Sequence, residues 1–75
     1  MTRIEFIAFL KAFRQDLEEG KPEWKNQTLE DFLEAMASYT EDIQGYYDTM
    51  NLNTDADVAT WENFKTLLKG ASMYE

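Results

Sequence analysis

The sequence predicts an all-α fold, a compact three-helix unit whose neighbouring helices run antiparallel. Apolar residues recur at three- and four-residue spacings in three separate stretches, and each stretch opens on a Thr able to cap a helix. The chain's 75 residues leave room for one domain and one modest core. Cys and His are both absent, so neither a disulfide nor a structural zinc can staple so small a fold. Stability then rests on helix packing, with self-association as a further support. Five Phe, four Tyr and two Trp supply the apolar area that packing requires, at roughly 25 cal/mol per Å² buried.

The first helix is expected over residues 2–19. Thr2-Arg3-Ile4-Glu5 has the form of a capping box, in which Thr2 takes the amide of Glu5 and Glu5 reaches back to the amide of Thr2. Phe6, Leu10, Phe13 and Leu17 then form one stripe, with Ile7 and Phe9 on its flanks. Gly20 supplies a left-handed cap, and Lys21-Pro22 follows with a residue that cannot continue a helix.

A second helix is expected over 28–44, capped by Thr28 or alternatively by Asn26, and ended by Gly45. Leu29, Phe32, Leu33, Met36 and Ile43 share one face. Thr40 falls within that stripe, where its hydroxyl can bond back to the carbonyl of Met36. Residues 46–59 are rich in Asp, Asn and Thr and read as a loop. The third helix is expected over 60–74, with Trp61, Phe64, Leu67, Leu68, Ala71 and Tyr74 on one side. Gly70 either falls on its polar face or stops it after Lys69. The expected core is the sum of the three stripes, with Ala71 at its end.

Three segments, Trp24-Lys25-Asn26-Gln27-Thr28-Leu29-Glu30-Asp31-Phe32-Leu33-Glu34-Ala35, the triplet Gly45-Tyr46-Tyr47, and Trp61 followed by Ala71, Tyr74 and Glu75 in a terminal Ala-x-x-Tyr-Glu, stand out. Together they resemble a small bacterial family of uncharacterised all-helical domains. The resemblance implies a stand-alone helical protein of about this length with no assigned role. It supports the fold and adds no activity. The Asn- and Asp-rich stretch at 51–57 departs from the Pro-containing linker expected of that family.

The net charge of −8 argues against nucleic acid and anionic membranes as partners, since both demand a basic footprint. Residues 28–59 hold eight acidic residues and no Lys or Arg. The longest apolar run, Phe6 to Leu10, falls far short of the ~18 residues of a membrane span. No secretory signal is discernible either, and a cytoplasmic protein is expected. Without His or Cys the usual activated nucleophiles cannot be built, so no catalytic residue and no cofactor is expected.

The candidate partner-binding residues are Glu30, Asp31, Glu34, Glu41 and Asp42, which lie opposite the apolar stripe of the second helix. Their field would favour a basic protein as partner, and one such module would be an inhibitor or immunity-type protein. Acidity serving solubility alone is the plainer alternative. Trp24, Tyr46 and Tyr47 lie outside the stripes and are either binding aromatics or covers for the open ends of the core, the second being preferred. A calcium-responsive domain is a further alternative, because residues 51–62 resemble a calcium loop with Asn51, Asn53, Asp55, Asp57 and Glu62 as ligands. That loop has Asn51 where Asp is usual and Ala56 where the sharp turn needs Gly.

Overall fold

Each helix begins where a Thr side chain takes an amide that the helix itself leaves unpaired. The computed structural model describes residues 1–20 and 24–74, with α1 at Arg3–Glu19, α2 at Leu29–Thr49 and α3 at Trp61–Met73. Both bonds of the Thr2–Glu5 capping box form, at 3.2 and 2.9 Å. Thr28 and Thr60 accept from the amides of Asp31 and Asn63, each at 3.1 Å. Gly20, at φ 69°, closes α1 in the left-handed conformation. The role expected of Lys21-Pro22 falls outside the described residues.

Gly45 does not end α2, which continues to Thr49. A Gly terminates a helix when it turns left-handed, and Gly45 keeps the helical conformation because the residues after it have somewhere to pack. Tyr47 is buried on the stripe of Ile43, and its hydroxyl donates to Oδ1 of Asn63 in α3 at 2.7 Å. Tyr46 and Tyr47 are therefore helical, and the loop begins at Met50 rather than at residue 46. Asn51 and Asn53 supply its left-handed positions, at φ 55° and 43°.

The stripe of α2 is also rotated from the expected one. Ala35, Ile43 and Tyr47 are buried, whereas Leu29 and Leu33 are 74% and 53% exposed. The reason is that α2 packs chiefly on α3. The two helices approach so closely at Gly70 that a Cβ there would stand 2.6 Å from Cδ2 of Tyr39 and closer still to Cε2 and Cζ. Gly70 is thus neither on a polar face nor a stop, and α3 runs through it to Met73. Tyr74 is the extended residue after the helix. Thr40 makes the expected bond to the carbonyl of Met36, at 2.6 Å, but it does so exposed rather than within the core.

α3 packs on both other helices, while α1 and α2 do not pack directly on one another among the described residues. The unit is a slab of 33 × 29 × 19 Å with α3 in the middle. Among the described residues six apolar side chains are buried: Phe6, Trp24, Ala35, Ile43, Tyr47 and Ala71. Of the expected core, Phe13, Phe32, Met36, Leu67 and Leu68 are half-buried. Leu10, Leu17, Leu29, Leu33, Trp61 and Phe64 remain exposed, because a slab covers one side of α1 less well than a closed bundle would.

Candidate functional site

Glu30, Asp31, Glu34, Glu41 and Asp42 are all exposed along α2. At 100° per residue, Glu30, Glu34 and Glu41 share one edge, and Asp31 and Asp42 stand roughly 90° further round the helix. The second edge is partly engaged: the Tyr74 hydroxyl donates to Asp42, and this bond raises the Tyr74 pKa above its ordinary value. Asp31 and Glu34 line a small cavity of about 170 Å³ beside Asn26, Ala35, Ser38 and Tyr74. Among the described residues, the side chains of Glu30, Glu34 and Glu41 make no hydrogen bond and no ion pair. They form an uncompensated acidic edge.

The candidate aromatics separate into two kinds. Tyr46 is 44% exposed, whereas Tyr47 and Trp24 are buried, the latter 8% exposed. Trp24 covers the core between α1 and α2, with ring centroids 4.3 Å from Phe13 and 5.9 Å from Phe32. From Phe13 the aromatic contacts continue through Phe9 and Phe6 to Trp61, at 5.1, 5.8 and 5.1 Å. Trp24 is held there by its neighbours, since the amides of Lys25 and Asn26 donate to the carbonyl of Ser72 at 2.8 and 3.2 Å. The Asn26 side chain donates to the carbonyls of Ala71 and Tyr74, at 2.9 and 2.6 Å, so Asn26 closes the end of α3 instead of opening α2. Trp24 Nε1 is buried without an acceptor among the described residues.

The 51–62 residues follow a different plan from a metal loop. Asn51 and Asn53 turn the backbone, Asp55 Oδ1 accepts from the amide of Asp57 at 2.9 Å, and Glu62 pairs with the Met1 amine. No group of three acidic side chains able to hold a metal ion is formed among the described residues. The loop is organised instead by two amides. Asn63, 3% exposed, donates to the carbonyls of Asp55 and Val58 at 3.0 and 2.7 Å while accepting from Tyr47. Gln44 donates to the carbonyl of Thr54 at 3.0 Å and accepts from the amide of Ala56 at 2.8 Å.

The family model for DUF7660 matches residues 2–75. The chain belongs to that family. DUF7660 is a family of unknown function, which bears out the resemblance read from the Trp24–Ala35, Gly45–Tyr47 and Trp61–Glu75 residues. No curated protein and no solved structure matches the chain. In this DUF7660 chain no helix of the described residues is long and apolar enough to cross a membrane. The residues that sequence reasoning missed in it are Gln44 and Asn63, while Tyr47, a named candidate, stands on the second stripe rather than in the loop expected of it. The 3.6-residue period places Tyr47 four positions after Ile43, so extending the second stripe through Gly45 would have found it. Gln44 and Asn63 gave no signal, because an amide that pins a loop looks like any polar residue until the loop is folded.

Proposed function

We propose that the chain is a non-catalytic protein-interaction domain that presents the Glu30–Glu34–Glu41 edge of α2 to a basic protein surface. The observation that carries this reading is that these three carboxylates are exposed on one edge and form no ion pair among the described residues. Fields of aligned exposed charges add, raising association rates and rejecting acidic partners. The absence of His and Cys favours binding over catalysis. An inhibitor or immunity-type role, masking a basic partner in the cytoplasm, is one form this takes.

The test is the triple reversal Glu30→Lys, Glu34→Lys and Glu41→Lys, which changes the charge of the edge while leaving the buried side of α2 intact. Capture of partners from the source cells would be compared for both proteins at low and high salt. The reading expects a protein bound by the wild type at low salt, released as salt rises, and missed by the variant. Equal capture by both proteins would make the acidic edge a solubility device.

A further inference from the structure

We propose that the groove between α1 and α2 is the contact through which two copies of this chain associate, the apolar strip of each laid on that of the other. The groove encloses about 390 Å³ and is lined chiefly by Leu10, Phe13 and Leu17 of α1, by Trp24, and by Leu29 and Phe32 of α2. It exists because α1 and α2 do not pack on one another. Trp24 fills the gap only as a floor, and Leu10, Leu17 and Leu29 stand exposed along its sides, with Leu33 beside them.

The exposed area fits a second copy as the occupant. The chain exposes 5588 Å² at 8.8 kDa, whereas a compact monomer of that mass exposes roughly 4,800 Å². The excess, roughly 800 Å², is what each partner contributes to a standard-sized interface. The radius of gyration agrees: it is 12.5 Å, against roughly 11 Å for a compact chain of this length.

Charge points the same way. The acidic edge of Glu30, Glu34 and Glu41 lies roughly 100° around α2 from Leu29 and Leu33, so the strip is not where the excess charge resides. Among the described residues Arg14 is the one charged side chain in the lining, and its Nε lies 3.2 Å from Oε1 of Glu18 on the same helix. Lys11 lies beside that pair on the outer flank of α1. A basic helix entering the groove would find no acidic side chain among its described lining. A second copy meets an apolar strip with a balanced rim, and in a two-fold contact the same residues face each other from both sides.

The net charge of −8 on each copy opposes this contact at long range and sets its salt dependence. Screening removes the repulsion while leaving the apolar contact, so association tightens as salt rises, the reverse of what a basic partner would show. The inference is independent of the function proposed for the acidic edge, and the two tests give opposite salt responses.

The experiment is sedimentation equilibrium of the full chain from low-micromolar to near-millimolar concentration, in low and moderate salt. The expected result is a mass rising from one chain toward two, more readily in moderate salt. Leu17→Glu and Leu29→Glu should each weaken dimerisation at least about tenfold, with helicity at low concentration unchanged. Leu29 is so exposed in the single chain that its variant keeps the test valid should Leu17→Glu fail to fold. Glu34→Lys with Glu41→Lys, which lowers the repulsion and leaves the strip alone, should keep or tighten the dimer. A single mass at every concentration overturns the proposal. So does a dimer indifferent to Leu29→Glu, or one that loosens as salt rises.

Discussion

Two glycines in the same helical context illustrate how far a single residue's effect depends on what stands beside it. Gly45 lies inside α2 with nothing within 4 Å of where a Cβ would sit. Gly45→Ala should therefore stabilise the protein by about 0.5–1 kcal/mol, through the conformational freedom that Ala removes from the unfolded chain. Gly70 faces the ring of Tyr39 across the α2–α3 contact. Gly70→Ala should destabilise by about 1–3 kcal/mol as the ring is forced aside. Chemical denaturation of the two variants reads both signs, and a shift in the same direction would mean that the α2–α3 approach is misplaced. Asn63 is the third informative residue. Asn63→Ala strands the Tyr47 hydroxyl and the carbonyls of Asp55 and Val58, so a loss of at least about 2 kcal/mol is expected.

Helix starts are the elements the sequence states most plainly, because capping is local chemistry: Thr2, Thr28 and Thr60 each bond an amide three residues on. The Glu5 half of the first cap also gives α1 a sensitivity to acid. The carboxylate accepts from the amide of Thr2, and that bond, before any other cause, lowers its pKa below the ordinary 4.5. A carboxyl group with a folded-state pKa below its unfolded value stabilises fully above the unfolded value and loses that contribution as pH falls through the folded one. Protection of the amides at the start of α1, taken relative to their intrinsic exchange rates at each pH, should therefore fall as pH drops below about 4.5. Glu5→Gln, whose amide oxygen can still accept but cannot titrate, should flatten that dependence. What was not legible at this scale depends on neighbours distant in sequence. The end of α2 required knowing that Tyr47 would find Asn63. The true face of α2 required knowing that α3 would lie against Ala35 and Tyr39 and leave Leu29 and Leu33 on an open side. The acidic edge was legible as charge, since charge needs no partner to be counted, but the groove beside it was not.

At the scale of the whole molecule, the slab arrangement makes α1 the least secured of the three helices. α2 and α3 share an extensive contact, a buried Tyr47–Asn63 bond and a loop tied at Gln44 and Asn63. α1 touches α3 more sparingly and reaches the rest mainly through aromatic rings, Phe6 on Trp61 and Phe64, and Phe13 on Trp24. Stability distributed in this way implies a local opening, in which α1 detaches while the α2–α3 pair persists. Hydrogen exchange at low protein concentration should show α1 amides protected less than those in the middle of α2 and α3. Phe13→Ala removes the link from α1 to the Trp24 floor, and for this half-buried ring the loss should be about 3 kcal/mol, the low end for such truncations. Its effect should fall unequally, with exchange in α1 accelerating well beyond any change around Ile43 and Ala71. Equal acceleration in all three helices would instead show that the chain opens only as one unit. Raising the protein concentration supplies the complementary test. A second copy seated on the groove covers the open side of α1, so its amides should gain protection with concentration in the wild type, and not when Leu29 is replaced by Glu.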